Sequence, residues 1–208
     1  MRAVIFDLDG TLIDAAPDIA AKLNQVLATE GLPAVPVAEV IKMIGDGARK
    51  LVERGFAARG ETMRPHHLEM FEALYAQEPS GYTVVYEGIF PVLETLRAQG
   101  RRLGLCTNKP AAATKAVLDA LQLTPFFEAV IAGDSTPYRK PDPRHLAATL
   151  AALEVTDAIM IGDHANDMKV AAALKLPSIF CAWGYGQGTG TAQAETPDTL
   201  VEIITKLG

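Results

Sequence analysis

The chain has 208 residues, and 49% of them are hydrophobic, so it is long enough and apolar enough to build a sizeable core. Its net charge of -6 at pH 7 argues against nonspecific nucleic-acid binding, which requires basic surfaces. No apolar run approaches the roughly 18 residues that cross a membrane, and the early Asp7 argues against a signal peptide. We therefore expect a cytoplasmic monomer or homodimer without nucleic-acid or membrane partners, in which Cys106 and Cys181 are free, buried thiols.

Short apolar runs predict strands that are buried on both faces, as in a parallel sheet. From residue 89 onward these runs alternate with patterns of helical spacing. Such alternation is typical of an α/β fold, and we predict a doubly wound, Rossmann-like parallel sheet as the core. The predicted strands cover residues 3–6, 103–106, 129–132, 158–161 and 178–182.

Residues 14–84 interrupt this alternation. Apolar stripes at helical spacing recur there, for example at Ile19, Leu23 and Val26, and glycine or proline breakers separate four such stripes. We interpret the segment as a small inserted α-helical cap with a hinge at each end, and residues 1–13 and 85–208 as the α/β core. The alternative is that these helices pack on the sheet within a single domain.

Polar side chains follow each of the first four predicted strands. Asp7 and Asp9 come directly after the first strand, and because residues two apart on an extended chain point the same way, their carboxylates face one space. Two such carboxylates repel each other unless a cation or protons relieve them. In an open α/β sheet ligands bind beyond the carboxyl ends of the strands, so we expect one site there. Its other candidate members are Thr107, Asn108, Asp134, Lys140, Asp163 and Asp167.

Phosphoryl transfer to a carboxylate, assisted by a divalent metal, fits this set of side chains. Mg²⁺ prefers oxygen ligands and is commonly held by one or two carboxylates together with a substrate phosphate, for which Asp7 and Asp163 are suited. The phosphate would then lie beside an aspartate that can attack it. The Thr107 hydroxyl, the Asn108 amide and the Lys140 ammonium are suited to hold the phosphate oxygens and offset their charge.

Backbone N–H groups are further candidates for holding the phosphate. Gly10 and Thr11 follow the paired acids, and a tight turn there would aim its N–H groups at the phosphate oxygens. We therefore expect Gly10 and Thr11 to bind substrate together with Asn108. Spacing alone does not decide which of Asp7 and Asp9 attacks.

Four segments, "DLDGTLID", "TNKP", "RKPDP" and "GDHAND", resemble in order the motifs of the haloacid dehalogenase superfamily of phosphatases. The resemblance implies that Asp7 is the nucleophile, that Asp9 is the general acid and base, and that Thr107 and Lys140 bind and orient the phosphoryl group. It also implies a Mg²⁺ cofactor. The implied ligands are Asp7, the backbone carbonyl of Asp9 and Asp163, with Asp167 close by in a supporting role.

Within the superfamily, "IGDGARKLVERG", "YEGI" and "TNKP" resemble phosphoglycolate phosphatases. The resemblance implies a small phosphomonoester substrate, with 2-phosphoglycolate as the leading candidate, and a loop of the cap that approaches the active site. Residues 45–47 form that loop here, which we call the cap loop. Gly45 and Gly47 would let the backbone come close, and Arg49 or Lys50 would meet the carboxylate of the substrate. The alternative is an ordinary helix start with solvated basic residues.

Other activities use the same scaffold. A sugar-phosphate phosphatase or a phosphomutase would keep all four motifs and differ mainly in what the cap recognises. A metal-independent 2-haloacid dehalogenase would leave Asp9 and Asp163 without a purpose, and a non-catalytic phospho-receiver module would leave residues 14–84 unexplained. Asp14 is predicted to cap the first cap helix or to orient the hinge. His66 and His67, which follow one another in the sequence, are expected at the surface.

Overall fold

A computed structural model of the protein describes residues 1–77 and 80–208, so residues 78 and 79 of the predicted cap lie outside the described residues. The core is a parallel sheet of six strands in the order β5-β4-β1-β6-β7-β8. The fold is therefore a mostly parallel, Rossmann-like α/β sheet flanked by helices, as predicted. The sheet strands are β1 (Ala3–Phe6), β4 (Leu103–Cys106), β5 (Ala129–Ile131), β6 (Ala158–Gly162), β7 (Ser178–Cys181) and β8 (Ala192–Ala194).

The five predicted sheet strands are confirmed to within one residue at each end. Four of their apolar runs are buried throughout, whereas Val130 of the edge strand β5 is exposed. The strand β8 was missed, since three residues that follow a glycine-rich loop carry no strand pattern. Five helices of the described residues flank the sheet. They are α5 (Ile89–Ala98), α6 (Ala111–Ala120), α7 (Pro143–Ala152), α8 (Ala165–Ala173) and α9 (Leu200–Leu207).

The segment predicted as a cap contains four described helices, as expected. They are α1 (Ala16–Thr29), α2 (Val37–Ile41), α3 (Ala48–Ala57) and α4 (Pro65–Gln77). Two short strands that the sequence did not reveal, β2 (Ile13–Asp14) and β3 (Val84–Val85), pair antiparallel where the chain leaves and re-enters the core. Buried side chains of α1, such as Leu23, belong to the same hydrophobic cluster as Phe6 of β1. The division into two domains therefore stays a prediction.

The expectation that both histidines of the pair at the start of α4 lie at the surface is wrong for His67, which is only 1% exposed. Its ring stacks on Phe56 with the centroids 4.2 Å apart. Its Nδ1 accepts the N–H of Arg64 at 3.0 Å, and its Nε2 lies 3.0 Å from the carboxylate of Glu30. His67 therefore ties α4 to the end of α1.

The two cysteines are buried and free, as predicted. Within residues 1–77 and 80–208, none of the helices combines the length and the apolar character that a membrane crossing requires.

Candidate active site

The chain turns sharply after β1, where the paired acids lie. The Leu8 carbonyl accepts the N–H groups of both Thr11 and Leu12, and the N–H of Gly10 donates to the Ile13 carbonyl at 2.9 Å. Gly10 has a φ of +83°, and a Cβ at this position would lie 2.3 Å from Oδ2 of Asp163. The turn therefore requires glycine, both for its left-handed backbone and for its close packing on Asp163.

Gly10 and Thr11, which we expected to bind phosphate, lie in the turn that packs on Asp163. Both N–H groups are already bonded inside the turn, to the Ile13 and Leu8 carbonyls respectively. The Thr11 hydroxyl donates to Oδ1 of Asp163 at 3.0 Å. These two residues therefore position a carboxylate of the site, and their contact with a phosphate stays a prediction.

Three buried carboxylates converge at this edge of the sheet. Oxygen atoms of Asp7, Asp163 and Asp167 all lie within 4.8 Å of one another. Asp163 follows β6 and is held by the Thr11 hydroxyl and by the N–H of Tyr185, which donates to Oδ2 at 2.8 Å. Asp167 lies in the first turn of α8, where its Oδ2 accepts the N–H of His164 at 3.0 Å. The sequence prediction that these acids come together is thus met.

The charge on these carboxylates is costly to maintain. Burial raises the pKa of Asp163 to about 6, and the nearby Asp7 carboxylate acts in the same direction. Burial likewise raises the pKa of Asp167 to about 7, although the Lys140 ammonium opposes the rise. Both groups are therefore poised to exchange protons for another positive charge near neutral pH.

Lys140 is the cation within this cluster. Its Nζ lies 2.6 Å from Oδ1 of Asp167 and 2.8 Å from Oδ1 of Asp7. Burial by itself lowers the pKa of Lys140, but the charges of Asp167 and Asp7 outweigh burial and raise the pKa above its usual range. The contact with Asp7 lacks hydrogen-bond geometry, so Oδ1 of Asp7 is a buried oxygen with no hydrogen-bond partner among the described residues. Lys140 thus pairs with two of the three carboxylates of this cluster.

These residues fit a divalent metal ion. The donors are hard carboxylate oxygens, which Mg²⁺ prefers, and they include the unbonded Oδ1 of Asp7. A dication would also offset the negative charge that Lys140 leaves uncompensated. The donor set contains no sulfur or imidazole ligand of the kind that favours softer metals.

Thr107 and Asn108 follow β4, at the edge of the site. Thr107 is 2% exposed, and its hydroxyl accepts the N–H of Lys109 at 3.2 Å. The Asn108 amide donates to the carbonyls of Gly45 and Lys140, both at 2.9 Å, and its oxygen accepts the N–H of Lys140. Both amide hydrogens of Asn108 are therefore engaged with protein carbonyls, so its side chain joins the cap loop to Lys140, and its role in phosphate binding stays a prediction.

Lys109 is a residue of the site that sequence reasoning missed. Its Nζ lies 3.0 and 3.1 Å from the two carboxylate oxygens of Asp9, and its side chain is 5% exposed. It also lies 4.6 Å from the centroid of the Tyr75 ring. The lysine is part of "TNKP", but its partner is a hundred positions away, so no local pattern marked it.

The cap loop lies directly over this edge of the sheet. Asp46 accepts a hydrogen bond from the Asn166 amide at 2.8 Å and pairs with Arg54 of α3. Gly47 has a φ of +87°, and a Cβ there would come 3.2 Å from the Asn108 carbonyl, so glycine permits the close approach as predicted. Arg49 is exposed and is absent from the described cavity lining, so the structure does not bring it to the site.

A cavity between the cap helices and the core opens onto Asp7, Asp9 and Thr107. Cap residues supply its largely apolar roof. The lining side chains of the cap are Ile19, Ile44, Ala48, Leu51, Phe71, Glu72 and Tyr75. An apolar lining of this kind lowers the local dielectric constant and strengthens the electrostatic interactions beside it.

Comparisons with known proteins identify the family of the chain. A family model for haloacid dehalogenase-like hydrolases matches residues 4–181. A phosphoglycolate phosphatase from Caulobacter vibrioides is 43% identical over 188 residues, which cover 88% of this chain and 79% of the relative. A phosphoglycolate phosphatase from Cereibacter sphaeroides is 43% identical over 217 residues, covering 98% of this chain and 100% of the relative.

Among solved structures, a predicted phosphoglycolate phosphatase from Haemophilus somnus superposes with a TM-score of 0.89 at 24% identity, covering 98% of this chain and 97% of the other. At that identity the likeness concerns the fold. The chain therefore belongs to the haloacid dehalogenase-like hydrolase family, as a phosphoric monoester hydrolase similar to the phosphoglycolate phosphatases.

Proposed function

We propose that this phosphoric monoester hydrolase cleaves 2-phosphoglycolate to glycolate and phosphate, with Mg²⁺ as its cofactor and Asp7 as its nucleophile. The observation that carries the proposal is the buried convergence of Asp7, Asp163 and Asp167 with Lys140 at the open edge of the sheet. The substrate is supported by relatives named phosphoglycolate phosphatase, one of which aligns along its whole length.

In the first half of the reaction, a carboxylate oxygen of Asp7 attacks phosphorus while the bond from phosphorus to the ester oxygen breaks. The product is an aspartyl-phosphate on Asp7. Because the Asp7 carboxylate has two oxygens, one can attack phosphorus while the unbonded Oδ1 remains available to the metal. Lys140 offsets the charge on the phosphoryl oxygens, and the Thr107 hydroxyl orients them.

Asp9 serves as the general acid and base. It donates a proton to the departing glycolate oxygen, and in the second half it takes a proton from the water that attacks the aspartyl-phosphate. Burial raises the pKa of Asp9, although the adjacent Lys109 acts in the opposite direction. The net shift favours the protonated form that the first half requires.

The metal would be held by Asp7, the backbone carbonyl of Asp9, and Asp163. When bound, Mg²⁺ supplies positive charge that relieves repulsion between the carboxylates and the substrate phosphate. Asp167 would support the metal site indirectly, because its two oxygens contact Lys140 and the N–H of His164.

Residues 14–84 would act as a cap that moves over the site about the β2–β3 pair. Asp14 supports this hinge, because its carboxylate accepts the N–H of Ala16 at 3.2 Å and the hydroxyl of Tyr185 at 2.6 Å. Hydrogen exchange that changes jointly across residues 14–84 when Mg²⁺ and phosphate bind would support such a cap, whereas unchanged exchange would contradict it. A cytoplasmic location remains a prediction, supported by the two free thiols.

The test is hydrolysis of 2-phosphoglycolate by the full chain, with Mg²⁺ and after chelation. We expect turnover only with the metal, and Asp7→Asn is expected to abolish turnover while keeping the fold. Asp157→Asn is the matched control, since Asp157 pairs with Arg2 at the surface, away from the site. Metal-independent turnover or an active Asp7→Asn protein would refute the mechanism. A preference for sugar phosphates above about a hundredfold in kcat/KM, roughly 2.7 kcal/mol, would refute the substrate.

A further inference from the structure

The proposed substrate has two anionic ends, and the cluster around Asp7 accounts only for the phosphate. The cavity that would hold the rest of the molecule is lined by apolar side chains and by several acids, including Glu72 and Asp134 at the more exposed positions. A carboxylate entering this space would be repelled unless a cation met it. The question is which side chain of the cavity can do so.

Lys109 is the one basic side chain among the described residues that line the cavity. Its Nζ contacts both oxygens of Asp9, at 3.0 and 3.1 Å, and almost all of the side chain is buried. Arg49 and Lys50, which we first expected to meet the carboxylate, are both exposed, and Lys50 pairs with Glu53 at 2.7 Å. The cation is therefore supplied by the core and not by the cap.

Tyr75 of α4 provides an independent observation. It lines the same cavity, is 3% exposed, and its hydroxyl has no hydrogen-bond partner within the described part of the chain. A buried hydroxyl without a partner is costly, so a polar group of a ligand is its natural complement. Burial raises the pKa of Tyr75 well above its ordinary value, so the hydroxyl keeps its proton and can donate it to an anion. The Lys109 ammonium lies over the ring of this same tyrosine, 4.6 Å from its centroid.

We propose that Lys109 and Tyr75 form a subsite for the substrate's carboxylate, in which the Lys109 ammonium exchanges its contact with Asp9 for the carboxylate. This inference rests on the proposed function. Its geometry follows from the chemistry of 2-phosphoglycolate, where a single methylene group separates the ester oxygen from the carboxylate. Because Asp9 must reach the ester oxygen, a cation in contact with Asp9 is also within reach of the adjacent carboxylate. The enzyme would thus select phosphate esters of 2-hydroxy acids.

The experiment compares two substrates that differ at this end. 2-Phosphoglycolate carries the carboxylate, and ethyl phosphate has a methyl group in its place. We expect Lys109→Met to lower kcat/KM for 2-phosphoglycolate about 100-fold or more, since it removes a charged partner, and to lower that for ethyl phosphate much less. Tyr75→Phe should lower only the value for 2-phosphoglycolate, by about tenfold. Lys109→Arg should restore part of the preference, and Lys115→Met on the surface of α6 should change neither substrate.

An equal loss on both substrates would mean that Lys109 serves Asp9 or the fold, and it would overturn the subsite. If Tyr75→Phe leaves the ratio of kcat/KM for 2-phosphoglycolate to kcat/KM for ethyl phosphate unchanged, Tyr75 is not part of the subsite. Thermal unfolding of each variant shows whether a loss reflects folding. If the phosphate ester of lactate is preferred to 2-phosphoglycolate and the preference depends on Lys109, the subsite stands while the assigned substrate falls. If Asp7→Asn remains active, the proposed mechanism fails regardless of these ratios.

Discussion

Replacing Gly10 by alanine tests whether the turn after β1 is built around Asp163. The left-handed backbone of Gly10 costs an alanine about 1 to 2 kcal/mol on its own. In addition, the new Cβ would lie 2.3 Å from Oδ2 of Asp163, where ordinary contact begins near 3.4 Å. The carboxylate must therefore move by about 1 Å or the turn must open.

A shift of that size stretches the hydrogen bonds that the Thr11 hydroxyl and the Tyr185 N–H make to Asp163, at 3.0 and 2.8 Å. Hydrogen bonds to a charged group contribute about 1.5 to 3 kcal/mol each. We expect Gly10→Ala to lower the free energy of unfolding by about 4 kcal/mol in all. Because these groups orient a carboxylate of the metal site, we also expect Mg²⁺ affinity to fall about 10- to 100-fold.

Gly31→Ala is the matched control. Gly31 has a φ of +70°, and a Cβ there would meet nothing within 4 Å, so this variant bears the backbone cost without the clash. The assay is urea unfolding and Mg²⁺ titration followed by the fluorescence of Trp183, the single tryptophan, whose indole donates to the Thr11 carbonyl at 3.1 Å. If Gly10→Ala matches Gly31→Ala in both stability and Mg²⁺ affinity, the turn does not position Asp163 as argued.

Three further outcomes follow from the same geometry. Lys140→Met leaves Asp7 and Asp167 without their buried cation, so urea unfolding should show a loss of about 3 to 5 kcal/mol and turnover should fall below detection; a stable, active variant would contradict the pairing. The raised pKa values of Asp163 and Asp167, about 6 and 7, mean that the metal-free fold loses stability as pH rises from about 4 to above 7. Since Mg²⁺ competes with those protons, the Tm increase that Mg²⁺ produces should grow between pH 5 and pH 8, and a flat response would count against the site. A double-mutant cycle of Asp46→Ala and Asn166→Ala should give a coupling of about 1 kcal/mol in kcat/KM, and additive effects would mean that their 2.8 Å contact does not hold the cap loop in place.

Much of the fold and of the acidic cluster follows from the sequence for one physical reason. Strands buried on both faces leave continuous apolar runs, and the carboxyl ends of parallel strands meet at one edge, so Asp7 and Asp163 could be predicted to come together. The features that were missed depend on contacts that no local pattern encodes. Lys109 finds Asp9 only through the pairing of β4 with β1, and β8 is too short for a recognisable pattern.

The hydrogen bonds of the turn and the burial of His67 have a related cause. The N–H groups of Gly10 and Thr11 belong to a turn, and they donate to carbonyls of that turn. The burial of His67 depends on stacking with Phe56 of a different helix. The residue type shows that a group can form hydrogen bonds, but only the packed structure shows which partner it has.

Asp163 lies between two segments that are far apart in the chain, and this arrangement links the proposed metal site to the proposed hinge. On one side is the turn at Gly10, and on the other is Gly184, where a Cβ would come 2.2 Å from Cβ of Asp163. Tyr185 then donates its N–H to Asp163 and its hydroxyl to Asp14 at the end of β2. One residue thus bonds both a metal-site carboxylate and the segment where the chain leaves the core. The glycine-rich segment therefore packs against Asp163 and is bonded to the end of β2, so it is a structural part of the site.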